Sequence, residues 1–377
     1  MKFIHLSDLH LGKRVNEFSM IEDQEYILTK IINVIDDEKP DAVIIAGDIY
    51  DKSVPSAEAV QLFDRFLVKL AKRNLQTCVI SGNHDSAERI AFGSKLMDIS
   101  GVHMSPVYDG NVEPIEIKDN EGSVLIYMLP FVKPANVRAI FPDEEINSYT
   151  DALNVAIKHM NIDESKRNVL VAHQFVTGAT TSDSETVSVG GTDNVDSSVF
   201  DTFDYVALGH IHGPQNIGRE TVRYCGTPLK YSFSEKNHEK SVTVVEMGKK
   251  GSVEIHTVPL VPKRDLREIR GTYEELTLKK NYEGTNREDY LRVILTDEDD
   301  VIDAMAKLRT IYPYIMKLEY DNKRTRTQSS IGNIEDIEKK SEMDLFSELF
   351  EKQNGKSMTE EQVEFSKEIF ERLKEEG

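Results

Sequence analysis

Ile4-His5-Leu6-Ser7-Asp8-Leu9-His10-Leu11-Gly12 is the stretch on which the fold of this 377-residue chain turns. Lys2–Ser7 reads as a short strand carrying Phe3, Ile4 and Leu6, and it runs straight into Asp8 and His10, two metal-ligand residue types at i and i+2. In extended backbone such a pair faces one side. The same arrangement recurs along the chain. Ala42–Ala46 leads into Gly47-Asp48-Ile49-Tyr50-Asp51, and Thr77–Ile80 leads into Gly82-Asn83-His84-Asp85. Asn168–Ala172 ends on His173, and Tyr205–Leu208 on Gly209-His210-Ile211-His212. Carboxylate, amide and imidazole groups at the ends of neighbouring strands can converge on one spot. The glycines beside them let the loops turn tightly.

Outward from these segments, Gln24–Ile35 and Ala57–Arg73 read as amphipathic helices, the second with Val60, Phe63, Leu67 and Leu70 at helical spacing. Val124–Leu129 and Val242–Glu246 add strands. Helices between the early strands and a strand-rich second half predict an α/β fold, a sheet sandwich flanked by helices, over residues 1–260. Pro262–Arg270 reads as a linker with a local basic cluster, Lys263, Arg264, Arg267 and Arg270. A small α+β unit over 261–320 follows: a helical stretch near Tyr273–Leu276, strand Tyr290–Thr296, helix Val301–Ile311 and strand Tyr314–Tyr320. From Asp321 to Gly377 the chain becomes a tail. Lys323-Arg324-Thr325-Arg326 and a Ser/Gly stretch form a linker to two amphipathic helices. One carries Met343, Leu345, Phe346, Leu349 and Phe350, the other Val363, Phe365, Ile369, Phe370 and Leu373. Thr359 with Gln362 is a capping-box start for the second. These helices either pack on the chain's own body or dock on another protein's helices.

Composition sets limits. Hydrophobic residues are 39% of the chain, enough for a sizeable core. With 46 basic against 66 acidic residues, the net charge of −20 excludes a protein that holds nucleic acid through overall positive charge. Positive charge must be local, from metal ions or from groups such as Lys13, Arg14, Arg89, Arg264, Arg267 and Arg270 near a groove. Two cysteines, Cys78 and Cys225, exclude a disulfide framework or a zinc knuckle. No apolar run approaches the ~18 residues of a membrane span, and no signal-peptide apolar region opens the chain. The expected location is cytoplasmic.

Five of the ten histidines fall in the strand-end segments. His5, His103, His159, His238 and His256 read as structural or solvated. The chemical logic of the set is a two-metal site, because two adjacent divalent ions need a shared ligand and a carboxylate can bridge them. Mixed Asp, Asn and His donors suit borderline ions such as manganese, iron or zinc. Gln174–Phe203, long and rich in small polar residues, follows His173 and is a candidate wall of a substrate groove. Two other motifs carry no chemistry. Gly355-Lys356-Ser357 resembles the end of a phosphate-binding loop, but Phe350 stands where the first glycine is required. Asp297-Glu298-Asp299-Asp300 reads as a solvated turn and helix start.

D-x-H, G-D, G-N-H-D, H and G-H-x-H, in that order, resemble the calcineurin-like metallophosphoesterase superfamily over about 260 residues. The opening Ile4–Gly12, Asp204–His212, Tyr224-Cys225-Gly226-Thr227-Pro228-Leu229 and Tyr231-Ser232-Phe233-Ser234-Glu235 are similar to its bacterial SbcD branch, and the 261–320 unit resembles that branch's capping domain. The resemblance implies one metal held by Asp8, His10, Asp48 and His212, and a second held by Asp48, Asn83, His173 and His210, with Asp48 bridging. His84 would contact the scissile phosphate and serve the leaving oxygen while hydroxide attacks phosphorus in line. Asp85 would orient His84 or cap the following helix. Asp51 stands where archaeal and eukaryotic relatives carry a histidine. The implied activity is a manganese-dependent DNA nuclease, exonucleolytic on duplex ends and endonucleolytic on single strands and hairpins. The implied partners are DNA, a large SbcC-type ATPase (two of each subunit) and a second copy of the chain. A small-molecule phosphodiesterase or phosphatase on the same core is the rival within the class. A catalytically silent scaffold is the rival outside it.

Overall fold

A computed structural model of the chain describes residues 1–185, 193–323, 325, 342–354 and 357–375. The Ser/Gly stretch, Gly355-Lys356, part of the long segment after His173, and the side chains of Leu345 and Leu373 lie outside the described residues. The chain divides into two compact units, Met1–Leu266 and Arg267–Gly377.

The first unit is built on two six-stranded sheets. In the first, the order is Val253–Pro259, Ser241–Met247, Lys2–Leu6, Ala42–Ala46, Gln76–Ile80 and Val102–Met104. The last four run parallel. Helices Ile21–Glu38 and Ala57–Ala71 make the first two crossovers between them. The second helix starts cleanly because Ser56 accepts a hydrogen bond from the Ala59 N–H. In the second sheet the order is Gln215–Ile217, Arg219–Tyr224, Tyr205–Gly209, Arg167–His173, Gly122–Met128 and Ile115–Asp119. Its four inner strands are likewise parallel.

Strand alternation builds the layers. Val169, Val171, Tyr205 and Ala207 point to the same core as Phe3, Ile44, Ile80 and Val245 of the other sheet, which makes the sandwich interior. Leu170, Ala172, Val206 and Leu208 point the other way, onto helices Pro134–Ile140 and Tyr149–Lys158 through Val137, Leu153 and Ala156. His5 is a core residue, 2.9 Å from the Tyr205 hydroxyl and 3.2 Å from the Leu208 carbonyl oxygen, and burial pushes it down to about 3. Sequence reading did not place those two helices, nor the strands Ile115–Asp119, Arg219–Tyr224 and Val253–Pro259, whose partly exposed faces carry weak apolar periodicity.

In the second unit, strands Leu266–Gly271, Tyr290–Leu295 and Ile315–Tyr320 form one sheet. Leu291, Val293 and Leu295 pack with Leu308 of helix Ala304–Arg309. Thr272 and Glu275 form a capping box at the head of Tyr273–Thr277. The expected linker Pro262–Arg270 is in its second half a strand. Its charges suggested solvation, but Arg267 pairs with Asp289 at 2.6 Å and Arg270 with Asp321. Asn322 is buried and donates to the Asp297 and Glu298 carbonyls, so this packing continues past Tyr320. The acidic run Asp297–Asp300 is a turn, and Asp297 accepts the Tyr273 N–H. Helices Glu342–Asn354 and Glu360–Glu375 meet through Phe346 and Phe370, with ring centroids 5.7 Å apart, and the Thr359–Gln362 capping box forms. Among the described residues, no helix is long and apolar enough to cross a membrane.

Arg167 locks the sandwich. Its buried guanidinium grips both Asp119 oxygens at 2.5 and 3.0 Å and also donates to the carbonyls of Gly122 and Met247, one on each sheet. The Arg167 guanidinium holds the Asp119 carboxyl well below the usual carboxylate range, against the opposing effect of burial. A depressed folded value means the stabilisation is complete above the ordinary carboxylate range and is lost as pH falls through it. Asp119→Asn should therefore cost about 1.5–3 kcal/mol at pH 7. The gap between variant and wild type should narrow below about pH 4, as read from urea midpoints across pH.

Candidate metal centre

Every strand-end segment lies at the carboxyl end of a parallel strand, so the two sheets present their ends to one cleft. Backbone hydrogen bonds zip the loops together. Asp8 N–H donates to the Gly47 carbonyl at 3.0 Å, His10 N–H to Asp48 at 2.9 Å and Leu11 N–H to Ile49 at 2.9 Å. Asp8, His10, Asp48 and His210 have φ of 52°, 44°, 49° and 104°, a region that non-glycine residues rarely occupy. Strain of this kind persists where the surroundings over-determine it. At Gly82 a Cβ would strike the Asp48 carboxylate, and at Gly209 it would strike the Ala46 carbonyl, so only glycine lets these loops approach.

Asp8, His10, Asp48, His173, His210 and His212 are all buried, and Asn83 lies at the rim. Nε2 of His10 and Nε2 of His212 lie 3.1 Å apart. Asn83 Oδ1 is 2.9 Å from both His173 Nε2 and His210 Nδ1. Asp48 Oδ2 stands between these groups, 3.6 Å from His10 Nε2 and 3.4 Å from His173 Nε2. Donor atoms of Asp8, His10 and His212 converge within 4.8 Å of one another, as do those of Asp8, Asp48 and His173. The seven residues expected as ligands are therefore brought together, and Asp48 occupies the middle.

This donor set fits divalent ions. Two ring nitrogens that face each other at hydrogen-bond distance need either a proton or a cation between them. His210 Nε2 and His10 Nδ1 are buried without a hydrogen-bond partner. The carboxylates draw positive charge. Burial opposes it, yet the Asp48 carboxylate lifts His173 to about 9 and is itself held below the usual range. Burial raises Asp8 to about 6, with His173 opposing the rise and the neighbouring Asp48 reinforcing it.

His84 is set apart from the donor groups by its hydrogen bonds. Its backbone N–H donates to Asp48 Oδ1 at 2.9 Å, and its Nδ1 is 3.1 Å from the Asp51 carbonyl oxygen. A carbonyl only accepts, so Nδ1 carries the proton and Nε2 is left for a substrate. The group that orients His84 is thus the Asp51 backbone. Asp85 neither orients His84 nor caps the helix. Its carboxylate takes the N–H groups of Ile49, Tyr50 and Gly82 at 2.9–3.0 Å and staples two of the loops, while Ser86 caps Ala87–Ile90. Burial, then the nearby Asp48, raises Asp85 to about 6. Asp51 joins His10 and His84 in a third convergent group that sequence spacing did not single out.

The expected free basic groups are mostly engaged. Arg264 is buried against Asp23 at 2.9 Å, Lys13 pairs with Asp51 at 2.7 Å, and Arg14 donates to the Glu17 carbonyl. With Arg267 and Arg270 also ion-paired, only exposed Arg89 keeps the expected character among these six. The groups that sequence reading missed are Ser184, Glu185, Glu235 and Lys240, which surround His212 from behind. Ser184 and Glu185 belong to the long segment after His173, which is thus tied to the centre.

Comparison with known proteins agrees with this geometry. A calcineurin-like phosphoesterase family model matches residues 1–214. A second model, described as a type 5 capsule protein repressor C-terminal domain, matches residues 262–354. The SbcD component of the SbcCD nuclease of Staphylococcus saprophyticus subsp. saprophyticus is 35% identical over the whole of both chains. Its counterpart of the same name in Staphylococcus epidermidis is 37% identical over 84% of this chain and 85% of its own. A dimetal phosphatase structure from Danio rerio aligns at 11% identity, covering 69% of this chain and 99% of its own, with a TM-score of 0.35. The chain belongs to the SbcD family of calcineurin-like phosphoesterases, phosphoester hydrolases that work with divalent metal ions.

Proposed function

We propose that this protein is a two-metal DNA nuclease. The observation that carries the reading is the buried Asp48 carboxylate between two sets of donors, Asp8, His10 and His212 on one side and Asn83, His173 and His210 on the other. Asp8, His10, Asp48 and His212 would hold one ion, and Asp48, Asn83, His173 and His210 the other. Manganese suits this mixture of carboxylate, amide and imidazole. When bound, such a pair polarises the phosphodiester and makes a nucleophile available at neutral pH. The protein's own part is positional. Asp48 fixes the spacing of the two donor sets, and His84, with Nδ1 committed to the Asp51 carbonyl, offers Nε2 to the leaving oxygen as acid or charge stabiliser. No side chain is required to form a covalent bond to phosphorus.

The names of the relatives support DNA as substrate and an SbcC-type ATPase as partner, two of each chain. In this reading the protein cuts duplex ends exonucleolytically and single strands or hairpins endonucleolytically, in the cytoplasm. The engaged arginines agree with a body of net charge −20 that binds DNA weakly by itself, the partner supplying most of the affinity. Phe92, Leu96 and Ile99, all strongly exposed on adjoining short helices of the first unit, are the surface on which a second copy would sit. Leu349, Phe365 and Ile369 on the C-terminal helices are exposed as well and suit docking on a partner's helices.

Asp48→Ala should empty or scramble the centre, because two cations without their shared carboxylate repel strongly in a low-dielectric cleft. His84→Gln should keep both ions and lose cleavage by ~10²–10⁴-fold. Elemental analysis and the rate of cleavage in manganese measure the two. Metal loss in His84→Gln equal to that of Asp48→Ala would make His84 a ligand. Running linear DNA beside a chromogenic phosphodiester separates a nuclease from a small-molecule phosphodiesterase, and inactivity on both would leave the scaffold reading.

Because Asn322 is part of the second unit's packing, the truncation that tests partner docking ends at Thr325 rather than at Tyr320. The shortened chain should stay folded and keep manganese-dependent cleavage of single-stranded DNA while losing co-purification with the ATPase. Retained complex formation would refute docking through the tail.

A further inference from the structure

Behind His212 lies a buried polar chain drawn from three distant parts of the sequence. His212 Nδ1 is 2.7 Å from Ser184 Oγ, and Ser184 Oγ is 2.6 Å from Glu235 Oε1. Lys240 Nζ sits 2.5 Å from Glu235 Oε2 and also donates to Thr227 Oγ1 at 2.7 Å and to the His212 carbonyl at 2.9 Å. Glu185 accepts the His212 backbone N–H at 2.7 Å. Glu235 is fully buried, and Lys240 and His212 nearly so.

The chemistry of each group fixes the direction of the chain. Lys240 only donates, and all three of its ammonium hydrogens are used. Glu235, facing that ammonium, is an ionised carboxylate and only accepts. The Ser184 hydroxyl therefore spends its single hydrogen on Glu235 and offers His212 only a lone pair. Nδ1 of His212 must carry the proton. The Nε2 lone pair is left to face the Nε2 of His10, 3.1 Å away.

We propose that Ser184, Glu235 and Lys240 are positioning residues that lock His212 in its Nε2-ligating tautomer and orientation, and so set the affinity of one of the two metal positions. The inference rests on the two-metal reading. It gives the long segment after His173 a role that its sequence did not disclose: that segment supplies the hydroxyl that completes one ligand. Outer groups of this kind typically change metal affinity 10- to 100-fold. Ser184 is the residue to alter, because Glu235→Gln would leave the buried Lys240 ammonium without its carboxylate and would test folding instead.

The experiment is a manganese titration of the full-length protein, metal-stripped, followed by calorimetry and by electron paramagnetic resonance of the bound ions. Wild type, Ser184→Ala, Ser184→Thr and Asp48→Ala are compared. Wild type should take up two ions. Ser184→Ala should weaken one of them about 10- to 100-fold and leave the other unchanged, and Ser184→Thr, which keeps the hydroxyl, should restore it. The inference is overturned if Ser184→Ala binds both ions as wild type does, or if Ala and Thr weaken both positions alike, which a purely structural serine would do. A wild type without two tight ions, or Asp48→Ala binding them equally well, would overturn the two-metal reading itself and this inference with it.

Discussion

One buried carboxylate organises the centre. Asp48 sits at φ 49° at the end of a parallel strand, with one oxygen committed to the His84 N–H and the other facing imidazoles from both sheets. An ionised group so deep in the protein is tolerable only when opposite charge or donors surround it. The neighbouring loops are placed to meet that requirement. Their cost is backbone strain at four non-glycine positions and glycines where any side chain would collide. Change Asp48, and the reason for those loops to stay in place is removed.

The carboxylates around the centre divide the labour. Asp8 receives the His210 N–H on both oxygens and so ties the first strand's loop to the far sheet. Asp85 takes no part in donor convergence and instead holds three backbone N–H groups from two loops. Glu235 stands one residue further out and reaches His212 through Ser184. Burial is common to all of them, but the hydrogen bonds differ, and these decide which carboxylates stay free to face a cation and which are spent on architecture.

The same principle explains the acidic surface. Arginines that look available in the sequence are consumed by specific acids, with Arg264 buried on Asp23 and Arg167 gripping Asp119 between the sheets. An engaged guanidinium stiffens the protein but attracts a polyanion poorly. Local positive charge in the cleft must then come from the ions that the donor set fits, consistent with a chemistry that works on phosphate in an otherwise anionic protein.

How much of this was legible beforehand follows from the range of each interaction. Apolar runs ending in Asp, Asn or His are local patterns, and parallel strands make their ends coincide, so the sandwich and the seven convergent residues could be read from spacing and resemblance. The orientation of His84 could not, because the Asp51 carbonyl that fixes it is a backbone atom 33 residues away. Neither could the role of Asp85, which depends on two loops meeting, nor the pairing of Arg264 with Asp23 across 241 positions. The chain from His212 through Ser184 to Glu235 joins segments 28 and 51 residues apart, and no periodicity records it. The sequence by itself determined which chemical groups stand at the strand ends, since that depends on neighbours along the chain. Only the tertiary structure decided which atom of each group is free to act, since a proton's position is set by whatever lies across the fold.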